Sequence, residues 1–254
     1  MKTTGNTILI TGGGSGIGEA LAKRFHDLGN TVIIAGRRQD VLERATVGRD
    51  NMHAMSVDVE SNVDIVNFAN RVIMQYPAIN VLINNAGIMR SETLDGPRDL
   101  ADAEAMITTN LLGTIRMTNA FIEHFVEQPD ATIVNVSSGL AFVPLFTAPT
   151  YNATKAAVHS YTVSMREALK GKVEVIELAP PAVQTSLTPG QETRTGYQPL
   201  VEFIDEVMEL FSQQPTPPEI LVSRVHFQRF AEAEGRFDNA LATLSDMATK
   251  MRNG

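Results

Sequence analysis

Short runs of β-branched and aliphatic residues alternate along this chain with longer stretches whose apolar positions recur every three or four residues. The first pattern marks buried strands and the second amphipathic helices. Strand-like runs fall at 6–10, 31–35, 52–57 and 81–84, with helical stretches at 16–28, 40–46 and 63–76 between them. Longer helices are predicted at 102–126 and 149–169, and further strands at ATIVNV and at 173–178. The strand runs are continuously apolar rather than alternating, as happens when both faces of a sheet are covered. This rhythm predicts an α/β fold: one doubly wound parallel sheet of about six strands with helices on both faces. Ligands of such sheets bind at the carboxyl ends of the strands.

After residue 180 the pattern changes. Segment 185–199 is rich in Thr, Pro and Gly, and VEFIDEVMELF within 200–211 reads as an amphipathic helix, so 186–211 is expected to form a flap beside a site. The tail, 217–254, reads as two helical stretches, 219–233 and 238–251, interrupted at Gly235. No linker, repeat or low-complexity segment divides the chain, which predicts a single domain over 1–254.

Composition narrows the function. With 43% hydrophobic and 20% charged residues, the chain is expected to be globular and soluble. A net charge of −8 argues against nucleic acid as a partner. The apolar stretch near the N-terminus is too short for a signal peptide or a membrane span, which points to a cytoplasmic protein with no membrane partner. Without cysteine, disulfides, thiolate catalysis and cysteine-built metal sites are excluded. The five histidines are scattered, with no paired metal-binding spacing, so no metal centre is expected.

Candidate chemistry begins after the first strand, where Thr11-Gly12-Gly13-Gly14-Ser15-Gly16-Ile17-Gly18 opens a helix. Glycines let the backbone approach a pyrophosphate, whose charge is met by helix N-terminal amides. Where a preference for NAD places an acidic residue at the end of the second strand, this chain has Gly36 followed by Arg37 and Arg38. Their planar forks suit a 2′-phosphate, which favours NADPH, with NADH as the weaker alternative. Tyr151 and Lys155 stand at i, i+4 on one helix face, where an ammonium would lower the phenol's pKa toward working pH. Ser138 ends a strand thirteen residues earlier, at the sheet edge where a substrate oxygen could be held. Taken singly, each piece also reads as an ordinary glycine turn, a solvated arginine pair, a helix-surface pair or a loop serine.

Taken together, the glycine turn, Asn84-Asn85-Ala86-Gly87, Ser138 and Tyr151-x-x-x-Lys155 resemble the short-chain dehydrogenase/reductases over roughly residues 6 to 185. The resemblance implies a Rossmann-type fold with Tyr151 as general acid in reduction. It further implies that Lys155 lowers the Tyr151 pKa and holds the nicotinamide ribose, that Ser138 orients the carbonyl, and that Asn110 binds a water in the proton relay. For the cofactor it implies Gly12, Ser15, Gly16, Ile17 and Gly18 at the pyrophosphate and Arg37 at the 2′-phosphate. Asp58 and Val59 would meet the adenine, Asn85, Ala86 and Gly87 the adenosine ribose, and Pro180, Val183 and Thr185 the nicotinamide end.

Two departures stand out. Pro180-Pro181 replaces the family's Pro-Gly, and the C-terminal strand ending in Asp-Gly-Gly is absent, with a helical tail in its place. Because that strand contributes to a tetramer interface in the family, the standard tetramer is in doubt and a homodimer built on 102–126 and 149–169 is expected. The Pro-Pro-Ala-Val-Gln-Thr run and the tail resemble a subgroup that includes oxidoreductases encoded beside lipoteichoic-acid D-alanylation genes. The expected activity is NADPH-dependent hydride transfer to a ketone or aldehyde, or from a secondary alcohol. The alternative is a non-catalytic NADP(H)-binding regulator of the same fold. Substrate specificity is expected in 140–150 and 186–211, where Phe142, Leu145, Phe146, Leu187 and Phe203 suggest an apolar pocket, though core packing accounts for some of them equally well.

Overall fold

The computed structural model describes residues 1–253. Strands β1 (Thr7–Thr11), β2 (Thr31–Gly36), β3 (Met52–Ser56), β4 (Ile79–Asn84), β5 (Thr132–Val136), β6 (Glu174–Leu178) and β7 (Glu219–Ile220) form one sheet. Their order is β3-β2-β1-β4-β5-β6-β7, and every pairing is parallel. The helices are α1 (Gly16–Asp27), α2 (Gln39–Thr46), α3 (Asn62–Gln75), α4 (Ala101–Met106), α5 (Gly113–Phe125), α6 (Pro149–Ala168), α7 (Leu200–Ser212), α8 (His226–Arg229) and α9 (Phe237–Asn253).

Successive side chains of a strand point to opposite faces, and here both faces are dry. Ile8, Ile10, Val32 and Ile34 join one core cluster with Phe25 of α1 and Phe203 and Phe211 of α7. Leu9 and Ile33, the residues between them, join a second cluster with Phe68 of α3 and Phe121 and Phe125 of α5. Two-sided burial is why these strands read as unbroken apolar runs. The chain winds outward from β1 to β3, then restarts at β4 on the other side of β1, which leaves a crevice at the carboxyl ends of β1 and β4.

Three features differ from the sequence expectation. The sheet has seven strands rather than about six, because residues 219–233 do not form one helix. Glu219–Ile220 pairs with Glu177 and Leu178 of β6, and a 3-10 turn, Ser223–Val225, leads into the short α8. The fully buried Ile220 and Val222 alternate with more exposed neighbours, and the open edge of β6 supplies the hydrogen bonds that a local helix would have supplied. A last strand is therefore present, though only two residues long, and only the later part of the tail, α9, is the predicted helix. Second, the helix predicted at 102–126 contains a π-helical segment, Ile107–Leu112, between α4 and α5.

The third difference concerns 186–211. Residues 200–211 do form the expected helix, α7, but its stripe of Phe203, Ile204, Val207 and Phe211 is buried in the core, with Phe211 edge-on to Phe25 at 5.7 Å. Phe203 is therefore a core residue and not part of an apolar substrate pocket. Its spacing on α7 is that of a core-facing stripe. Among the described residues no helix is long and apolar enough to cross a membrane.

Because Phe203 is 0% exposed, Phe203→Ala is expected to cost about 3–5 kcal/mol of stability in urea unfolding, with nucleotide affinity of the folded fraction unchanged. A loss confined to binding would place the ring at the cleft instead.

Candidate active site

The turn after β1 is built so that two backbones nearly touch. Gly12 has φ +66°, and a Cβ there would lie 2.9 Å from Ala86 Cα; at Gly18 it would lie 2.4 Å from both the Gly12 oxygen and Asn85 Nδ2. Asn85 Nδ2 donates to the Thr11 and Gly12 carbonyls at 3.0 and 3.3 Å, while Thr11 Oγ1 accepts the Asn85 and Ala86 amides at 3.1 Å each. The ends of β1 and β4 are thus tied together by side chains where the ladder stops. Ser15, extended at the N-cap of α1, makes no side-chain cap bond. The first-turn amides therefore lack a side-chain acceptor and carry the positive end of the helix dipole. Ser15, Gly16 and Ile17 line a cleft of about 410 Å³ that runs on past Asn85, Ala86 and Gly87.

The far end of the same cleft holds Ser138, Tyr151 and Lys155. Ser138 ends the segment leaving β5 in an extended conformation, and its Oγ accepts the Leu140 amide at 3.1 Å, which leaves the hydroxyl proton free to donate. Tyr151 and Lys155 come from α6, which starts with Pro149 at its first turn. Lys155 is 4% exposed, donates to the Val136 carbonyl at 2.8 Å, and sits 5.7 Å from the Tyr151 ring centroid. Burial pulls the Lys155 pKa down to about 8, opposed by the charge of Glu177. Burial pushes Tyr151 up to about 12, opposed by a hydrogen bond from Ser138. The expected lowering of the phenol is therefore not what this cleft produces. The ammonium gives its hydrogen bond to Val136 rather than to the phenol, and desolvation of the phenolate is the largest effect on Tyr151.

Pro180, Val183 and Thr185 also line the cleft. The Pro180 carbonyl accepts the Gly139 amide at 2.8 Å, which extends the contact between β5 and β6 past their ends. Arg38 lies on the cleft wall, but Arg37 turns away and pairs with Glu60 at 3.0 Å. Asp58 accepts the Glu60 amide at 3.0 Å, and Val59 packs against Gly113, so neither lines the cleft. Gly18 serves the close approach of helix and turn.

Asn110, 1% exposed at the π-helical segment, spends its side chain on the backbone of Ile88, accepting from N at 2.8 Å and donating to O at 2.9 Å. It fixes the segment after Gly87, and its Nδ2 also donates to Thr154 Oγ1 of α6 at 3.2 Å. Six lining residues do not stand out in the sequence: Ile88, Met89, Arg90, Val136, Ser137 and Gln191. Gln191 Nε2 donates to the Val183 carbonyl at 2.8 Å and to Thr185 Oγ1 at 3.1 Å, so it holds the 183–185 segment that lines the cleft. Only its place in the Thr-, Pro- and Gly-rich segment hinted at it. Leu187 does line the cleft, whereas Phe142 lies against His159, at 4.9 Å between ring centroids.

The cradle fits a dinucleotide: glycines occupy the positions where a Cβ would collide, the helix amides await an anion, and a hydroxyl, a phenol and an ammonium converge at the other end. Comparison with known proteins agrees. The family model for short chain dehydrogenases matches residues 6–195. The uncharacterized oxidoreductase DltE of Bacillus subtilis (strain 168) is 42% identical over 198 residues, covering 77% of this chain and 79% of its own. Among solved structures, the 3-ketoacyl-(acyl-carrier-protein) reductase of Brucella melitensis complexed with NADH superposes with a TM-score of 0.77 at 28% identity, over 86% of this chain and 96% of its own. The closed form of a serine dehydrogenase complexed with NADP+ gives 0.75 at 26%, over 84% and 90%. The chain is an oxidoreductase that belongs to the short-chain dehydrogenase family.

Proposed function

We propose that this protein is an NADPH-dependent carbonyl reductase and alcohol dehydrogenase, with Tyr151 as its general acid and base. The observation that carries this reading is the meeting of Ser138, Tyr151 and Lys155 in one cleft with the uncapped start of α1. When bound, the reduced nicotinamide supplies a hydride to the carbonyl carbon. The Ser138 hydroxyl donates to the carbonyl oxygen and stabilises the charge that gathers there. Tyr151 then gives its proton to that oxygen, so the product is an alcohol. A phenol held up to about 12 is protonated throughout the physiological range, which poises the free cleft for reduction. Lys155, the cation beside it, stabilises the phenolate left behind and binds the nicotinamide ribose.

The α1 amides take the pyrophosphate, and Arg38 takes the 2′-phosphate, helped by Arg37 once it leaves Glu60. Gly36 at the end of β2 offers no carboxylate to repel that phosphate. Two of the structural relatives are complexed with NADH or NADP+. The names of these relatives point to a ketone for the 3-ketoacyl-(acyl-carrier-protein) reductase and a primary alcohol for the serine dehydrogenase, both within the broad carbonyl and alcohol chemistry proposed here.

Three measurements test this. Tyr151→Phe is expected to lower kcat for ketone reduction by about 10²–10⁴ while NADPH binding, followed by nicotinamide fluorescence, persists; turnover near wild type would sink the mechanism. Arg38→Ala should weaken NADPH by about 1.5–3 kcal/mol, and Arg37→Ala by less, with NADH affinity little changed in titration calorimetry. In a pH profile, kcat/KM for reduction is expected to fall as pH rises through about 8, where Lys155 loses its charge. A flat profile across that range would remove the ammonium from the scheme.

A further inference from the structure

Lys155 and His159 stand one turn apart on α6 and so share a face. His159 meets Glu177 of β6, which is 0% exposed, while Lys155 reaches the cleft one turn back. Its Oε1 accepts the Ser137 hydroxyl at 2.5 Å, and its Oε2 meets His159 Nδ1 at 2.7 Å. A buried carboxylate is costly unless it is paired and hydrogen-bonded, yet the chemistry proposed for the cleft makes no use of it. Ser137 lies between the two residues that hold the reacting groups: Val136, whose carbonyl accepts Lys155, and Ser138.

Around His159 the charged groups are Glu177 from β6, Glu219 from β7 at 4.0 Å, Lys155 one turn back on α6, and Arg229 from α8. His159, Glu177 and Glu219 are close enough to suggest a metal cage. Arg229, however, forks onto both Glu219 oxygens at 3.1 to 3.2 Å, which makes the group a chain of ion pairs instead. The hydrogen bond to Glu177 raises the His159 pKa.

We propose that Glu177 is a positioning residue of the cleft: its buried carboxylate, braced between Ser137 and His159, keeps the Lys155 ammonium charged and fixes the strand end that carries Ser138. This rests on Tyr151 and Lys155 being the proton-handling pair. The same charge opposes the burial that draws Lys155 down to about 8. Sign separates this role from packing alone. A merely structural carboxylate, once altered, would admit water and let Lys155 rise toward its ordinary value, whereas loss of the charge itself sends Lys155 lower.

The test is an NMR titration of the full chain carrying ¹³C-labelled lysine, following Lys155, one of six lysines, assigned by its disappearance in Lys155→Met. In Glu177→Gln the Lys155 midpoint is expected to fall by about one pH unit or more. An unchanged or raised midpoint overturns the proposal. Should Glu177→Gln fail to fold, Lys155→Met itself gives the reciprocal measurement, because coupling between two sites is symmetric. Removing the ammonium moves the Glu177 carboxyl titration, followed with ¹³C-labelled glutamate, to higher pH, and an unmoved Glu177 overturns the proposal equally. Neither measurement depends on turnover. A wild-type protein that binds no NADPH would therefore defeat the proposed function while the lysine titration still decides the role of Glu177.

Discussion

Where β1 and β4 diverge, the backbone groups at their ends lose ladder partners, and buried polar groups left unpaired are costly. The Asn85 amide and the Thr11 hydroxyl supply the missing bonds across that gap. Everything in the cleft takes its position from this clamp. It sets how near α1 can come to the turn, and so where the helix amides point. It also fixes the start of the segment that Asn110 holds through Ile88. Substituting a larger residue for Gly18 would drive a Cβ into the same clamp.

Most of the architecture was legible because both sheet faces are covered, so that each strand announced itself as an apolar run between glycines and amphipathic helices. What escaped was set by tertiary partners rather than by local pattern. The two residues of β7 are too few to show a period, and they are strand only because β6 offers an edge. The π-helical segment at 107–112 coincides with Asn110, whose side chain is committed to another segment, a relation no helical period records. Phe203 suits a pocket as well as a core by its type, and only the stripe it shares with Val207 and Phe211 decides between them.

The cleft was legible as a set of residues but not as an electrostatic balance. Spacing placed Tyr151 and Lys155 on one helix face, and the structure keeps them there. Their depth could not be read from spacing, and depth governs: the same burial that raises the phenol lowers the ammonium, so the two values are driven apart rather than together. A lysine dried to this degree depends on nearby negative charge, and the charge of Glu177 opposes the pull of burial.

The end of the chain bears on this balance from outside. Phe237, Ala240, Leu241 and Leu244 of α9 pack with Ala231 against Val143, in the loop that joins Ser138 to α6. The loop that joins Ser138 to Tyr151 is thus packed by a segment beyond the 6–195 stretch that the family model matches. Divergence in that segment can reshape this loop while the positions of Ser138, Tyr151 and Lys155 stay as they are.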